Sequence, residues 1–215
     1  MKLLITAASA AFVLSTAGAA FAQTTATAST DLNLRAGPGP GFEVINVIAG
    51  NDAVTVDGCL DTANWCRVSY GGTTGWAYGA YLVADLSGSP AVIYDNRADL
   101  DIASVTYEDG SAAAGVATIG AITGGITGGA AGAVAGAAAG ATMGELVDPG
   151  QEVITYVQSN PVEPIYLDGE VVVGAVIPET VTLHAVPDSD YSYHYINGVP
   201  VLVVPADRTV VRIVR

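Results

Sequence analysis

Lysine is almost absent from this chain. Lys2 is the only one, and six arginines face 21 acidic residues, for a formal net charge of −14. Loss of Lys2 with an amino-terminal leader would take that to −15. Such a balance repels phosphate backbones and excludes nucleic acid as a natural partner. It also denies the chain an electrostatic hold on anionic lipid. Cysteine is nearly as scarce, with Cys59 and Cys66 alone. The two histidines, His184 and His194, lie far from both in sequence, so the ligands for a metal site are lacking. Catalytic signatures are missing too. No nucleophile–base–orienter set is readable, and no serine sits in an elbow-type context. His184, His194, Asp188 and Asp190 could be imagined as a metal or acid–base cluster, but surface or hairpin histidines are the favoured reading. We expect no enzyme, no cofactor and no metal.

Charge is missing altogether from Ser111 to Gly144, a run built mostly of Ala and Gly. Gly120, Gly124, Gly128, Gly132, Gly136, Gly140 and Gly144 fall at every fourth residue. A solitary helix of this composition would fail in water, since each glycine costs about 1 kcal/mol against alanine. Close backbone approach is the compensation that glycine offers, and small residues four apart form an inclined packing row. The row drifts by about 40° per step, so one flat face cannot hold all seven glycines. The doublets Gly124-Gly125 and Gly128-Gly129 are natural breaks, which favours a helical hairpin. Its arms of about 20 to 22 Å fall short of a bilayer core of about 30 Å, whereas one unbroken helix would span it. A flexible linker is the bland alternative. The pattern resembles the glycine-zipper segments of bacterial envelope proteins, which implies self-association or membrane contact through 111–144.

The chain opens with a charged Met1-Lys2, an apolar run from Leu3 to about Leu14, and Ala20-Phe21-Ala22 before Gln23. These are the parts of a secretory signal peptide over 1–22, with cleavage expected after Ala22. An exported chain makes a Cys59–Cys66 disulfide the expected state, with free thiols or a metal as the alternative. Closing so short a loop contributes about 2–3 kcal/mol.

Residues 23–30 read as a Thr/Ala/Ser spacer. Short strands are expected at Leu32–Arg35, Glu43–Ile48, Ala53–Cys59, Trp65–Tyr70 and Thr74–Ala77, separated by Gly-rich or Asn-Asp turns, which suggests a small barrel. Gly71-Gly72 is a strong hairpin signal. The run Ala36-Gly37-Pro38-Gly39-Pro40-Gly41 lacks the lysine and helix of a phosphate loop. Leu32-Asn33-Leu34-Arg35-Ala36-Gly37-Pro38-Gly39, then Trp65-Cys66-Arg67-Val68, Gly75-Trp76 and Tyr81-Leu82, resemble the bacterial SH3-like (SH3b) domain over 31–85. That resemblance implies a non-catalytic, envelope-targeted module binding peptidoglycan or an envelope-protein peptide. Candidate groove residues are Arg35, Phe42, Trp65, Trp76, Tyr78 and Tyr81, with the tryptophans equally readable as core. Arg35 is the leading candidate, since a planar guanidinium can pair with a peptide carboxylate, although a local Asp could claim it instead.

Residues 86–110 read as a linker holding Ala91–Tyr94 and Ile102–Tyr107, and 145–150 as a second. From 151 to 215 the composition turns to Val, Ile and Tyr, with strands expected at Glu170–Ile177, Thr180–Ala185, Tyr191–Ile196, Val199–Val204 and Thr209–Val214. Asn197-Gly198 is the strongest hairpin turn in the chain. Asp168-Gly169-Glu170-Val171-Val172-Val173-Gly174, Pro178-Glu179-Thr180-Val181, Tyr195-Ile196-Asn197-Gly198 and Val210-Val211-Arg212-Ile213-Val214 are similar to a domain family of unknown function, numbered 1236, of exported α-proteobacterial proteins. It supplies no activity.

The expectation is therefore a mainly β protein: a small SH3-like barrel, an Ala/Gly-rich helical segment, and a separate, unrelated antiparallel β-rich domain. Its function would be that of a non-catalytic exported envelope protein in the periplasm or cell envelope. The alternative is a membrane-inserted glycine-zipper homo-oligomer, pore-like or structural, carrying soluble β modules.

Overall fold

The computed structural model describes residues 23–107 and 148–215. The signal peptide and the glycine-zipper segment expected from the sequence lie outside the described residues. Among the described residues, no helix is long and apolar enough to cross a membrane.

The protein is mainly β, as the sequence implied. Eight strands form the first sheet: β1 (Thr24–Ala28), β2 (Leu32–Arg35), β3 (Val44–Ile48), β4 (Ala53–Cys59), β5 (Trp65–Tyr70), β6 (Thr73–Tyr78), β7 (Leu82–Leu86) and β8 (Ser89–Val92). Their spatial order is β3-β2-β6-β5-β4-β1-β7-β8. Every pairing is antiparallel. β5 and β6 close through Gly71-Gly72, both at positive φ, as the hairpin signal required. The expected spacer at 23–30 instead contains β1, which lies between β4 and β7. Thr24-Thr25-Ala26-Thr27-Ala28 supplies β-branched residues, and the small side chains of Ala26 and Ala28 turn fully inward. Part of the expected linker is structured as well, since β8 lies within it and Cys59 bridges to Ser104. Gly58 permits that crossing, because a Cβ there would meet the Ala103 carbonyl at 2.6 Å.

The second sheet holds β9 (His184–Ala185), β10 (Ser192–Ile196), β11 (Val199–Val204) and β12 (Thr209–Ile213), in order β12-β11-β10-β9. Asn197 and Gly198 take φ of 54° and 80° at the β10–β11 turn, the double positive φ expected of that pair. One helix, α1 (Gln151–Ser159), precedes them and was not foreseen. Its Val, Ile, Thr and Tyr are strand formers by propensity, and tertiary packing overrides that preference. Val157 of α1 is buried with Tyr193, Leu202 and Val214, which gives the sheet a helix-covered face. The strand expected over Glu170–Ile177 is absent. Gly169 and Gly174 sit at φ of 89° and 86°, and the consecutive Val171 and Val172 are both buried, which an alternating strand does not allow. This segment instead docks irregularly beside the β11–β12 hairpin, through bonds such as Gly174 N–H to the Val210 carbonyl. Of Thr180–Ala185, only the last two residues form a strand.

The two sheets are not unrelated neighbours. Leu32, Leu34, Leu82 and Ile93 share one buried cluster with Leu167, Val171, Ile177, Ile196, Val201 and Val210. Alternation along β10 and β11 sends Ile196, Val201 and Val203 toward this shared core, and Tyr193 and Leu202 toward α1. Cys59 and Cys66 oppose each other across β4 and β5 and form the expected disulfide, both wholly buried.

Candidate functional site

The site is assembled where β2 meets the segment before β9. All four residues of β2 are buried, including Asn33 and Arg35 at 1% exposure each. Arg35 lies at a bulge, facing Val44 on one side and Trp76 on the other. Its guanidinium enters the shared interior and meets Glu170, whose side chain is fully buried. Nε donates to Oε2 at 2.5 Å and Nη2 to Oε1 at 2.8 Å. The remaining donors go to backbone: Nη1 to the Pro40 and Phe42 carbonyls, and Nη2 to the Asn197 carbonyl. A guanidinium carries five N–H groups, and all five are spent.

Glu170 is equally committed. Oε1 also accepts from Asn33 Nδ2 and from the Val171 amide. Asn33 Oδ1 accepts in turn from Arg215, which approaches Asp31 at 3.9 Å. On the far side, Asn197 Oδ1 holds the Leu167 amide and Nδ2 donates to the Gly169 carbonyl. One polar chain, Arg215–Asn33–Glu170–Arg35–Asn197, thus runs between the two sheets, buried from Asn33 to Asn197 and reaching the surface at Arg215. Paired and bonded in this way, the two charges are tolerated in the interior.

The other expected groove residues are brought together only in pairs. Trp65 and Trp76 are 4% and 5% exposed, filling core rather than standing open. Tyr107 covers Phe42 and Trp76 edge-on, each at 5.6 Å between ring centres. Tyr78 packs against Trp65 and Tyr81, and Gly169 of the later segment lies directly on its ring. Burial raises the Tyr78 phenol, and it pushes Tyr81 up to about 12, with the Tyr78 and Glu170 charges adding to it. Neither phenol can serve as a base at neutral pH. Among the described residues no group of three or more His, Cys, Asp or Glu could hold a metal ion. His184 and His194 stack at 5.5 Å, and His194 is buried with both ring nitrogens unpartnered.

One concavity opens beside the network. A cleft of about 300 Å³ runs between the Pro40–Val44 turn and Tyr166, Asn197, Gly198 and Val199. Phe42 is the only expected groove residue on it besides the saturated Arg35. Glu43 and Tyr166 were not foreseen, because Glu43 reads as a solvated strand start and Tyr166 belongs to the distant second segment. Glu170, Asn33 and Asn197 were likewise missed as functional positions. Their one sequence signal was polarity inside apolar runs.

Comparison with known families supports this two-part reading. Residues 30–83 match the family model of the bacterial SH3 domain, and residues 156–215 match that of a domain of unknown function, DUF1236. Both resemblances read from the sequence are thus shown, while the glycine zipper is outside the described residues. The first match begins after β1, and the second begins inside α1. No curated protein matches the chain. The bacterial SH3 domain marks a binding module and suggests an envelope-related location; neither family is a known catalytic one.

Proposed function

We propose that this is a non-catalytic, exported cell-envelope protein whose bacterial SH3 module binds peptidoglycan or an envelope-protein peptide in the cleft beside Phe42. The observation carrying this reading is the cleft itself. It is concave, walled by Pro40, Phe42 and Val44, and braced from beneath by the Arg35–Glu170 network. Preorganised concavities with few polar groups are the usual form of a ligand site. The C-terminal segment then acts as a wall of the site and as its support.

Retention of mature protein on purified cell-wall sacculi tests the reading. Deleting the first sheet is a poor control, because the two sheets share one core. A Glu43→Trp variant, altered at an exposed position, crowds the cleft without touching the interior. Retention should fall severalfold in the variant. Wild-type retention no better than that of an unrelated acidic protein would remove peptidoglycan as the ligand.

A further inference from the structure

We infer that the cleft takes a peptide-borne primary ammonium, not a carboxylate; this rests on the binding reading above and names its ligand chemistry. Two formally charged residues line the cleft, Arg35 and Glu43. Arg35 has no N–H left to offer, since Glu170 and the carbonyls of Pro40, Phe42 and Asn197 take all five. A ligand carboxylate would therefore find no donor there and would lie against Glu43. The Glu43 side chain is exposed, and its carboxylate makes no hydrogen bond or ion pair among the described residues. Its backbone carbonyl is already fixed by the Ala36 amide, which holds the residue in place at the rim.

The remaining lining suits the same ligand. Phe42 and Val44 offer apolar surface for the methylene stem of a lysine-like side chain. The half-buried Tyr166 is without a hydrogen bond among the described residues and can accept one from an ammonium. About 300 Å³ lies at the small end of ligand sites, enough for one long side chain and its flanking backbone. The whole-chain charge of −14 acts in the same direction, raising the encounter rate with cations.

The test uses the full mature chain and three blocked tripeptides: acetyl-Ala-Lys-Ala-amide, its Nε-acetyl-lysine counterpart, and acetyl-Ala-Glu-Ala-amide. Calorimetry or tyrosine-region NMR reads the affinities at low and high salt. The lysine peptide should bind about fivefold or more tightly than the other two, and lose that margin in salt and in Glu43→Gln. Equal binding of the acetyl-lysine peptide, stronger binding of the glutamate peptide, no binding of the lysine peptide, or a preference surviving in Glu43→Gln would each overturn it. Sacculus retention separates the two proposals. Retention without ammonium preference leaves the peptidoglycan reading and removes this one, and ammonium preference without retention leaves a peptide ligand and removes peptidoglycan.

Discussion

Glu170→Gln is the sharpest perturbation the structure offers. It keeps the volume and one acceptor oxygen, yet takes the countercharge from a guanidinium that is 1% exposed. Arg35 cannot shed its proton, so it must remain charged in the interior. Its three carbonyl partners stay, but the two bonds to the carboxylate become one neutral bond and one donor facing a donor. Breaking a buried pair from one side costs about 3–5 kcal/mol, against a total stability of about 5–15 kcal/mol. With a urea slope near 2 kcal/mol/M, the unfolding midpoint should fall by about 2 M. Both tryptophans, Trp65 and Trp76, lie in the first sheet, so their fluorescence reports that sheet, while far-UV circular dichroism sees both. The two signals should move together, because one buried cluster joins the sheets. Arg35→Met with Glu170→Leu should be less damaging than Arg35→Met alone, which strands a carboxylate held only by Asn33 and the Val171 amide. A midpoint shift below about 0.5 M for Glu170→Gln, or separate transitions by the two probes, would refute the reasoning.

Three further outcomes follow from other parts of the fold. Reduction of Cys59–Cys66, or Cys59→Ser with Cys66→Ser, should lower stability by about 2–3 kcal/mol by the loop-entropy argument; an unchanged urea midpoint under reductant contradicts it. Gly169→Ala should cost about 1–2 kcal/mol, since φ is 89° and the added Cβ meets the Tyr78 ring at 3.2 Å; calorimetric melting checks this, and an unaltered Tm counts against it. Burial, and then the neighbouring His184, pushes His194 below the ordinary histidine value. The unfolded chain therefore takes up its proton first, near pH 6.5. Stability present above that pH is lost as pH falls through it toward the folded value. His194→Phe should flatten the profile between pH 7.5 and 5, measured as urea midpoints, and an equal slope in the variant would dismiss His194 as the source.

Much of the fold was legible because local rules and tertiary demands agreed. β2, β4, β5 and β11 occupy the residues that alternation and turn chemistry mark, and Asn197-Gly198 makes the turn that it announces. Reading failed where context decides. Thr24–Ala28 looks like a spacer because its side chains are small, but small inward residues are what a strand between two others can accommodate. α1 is rich in Val, Ile, Thr and Tyr, which announce no helix, and it forms one where Val157 has a sheet face to cover. Arg35 illustrates the same limit at the site. A peptide carboxylate or a local Asp is the partner that the sequence suggests, and the partner found is Glu170, 135 residues away in the same chain. Nothing local distinguishes a carboxylate brought by a ligand from one brought by the fold.

That internal pairing also lies within the core that joins the two short domains. Segments the size of 30–83 and 156–215 each bury only about 60% of their unfolded surface and are marginal alone. The structure adds β1 to one and α1 to the other, then joins their apolar faces. An apolar seam would have sufficed for stability, since buried ion pairs add little over hydrophobic contact. A saturated guanidinium adds geometry instead. Arg35 ties the Pro40–Phe42 turn to the Asn197 carbonyl, which belong to the two walls of the cleft, and is itself held by Glu170. The residue expected to grip a ligand instead fixes the spacing of the cleft walls, and its charge is cancelled within the fold. The cleft is left with Glu43 as its free charge, and on the reading proposed above specificity passes from the arginine in the motif to a carboxylate just beyond it.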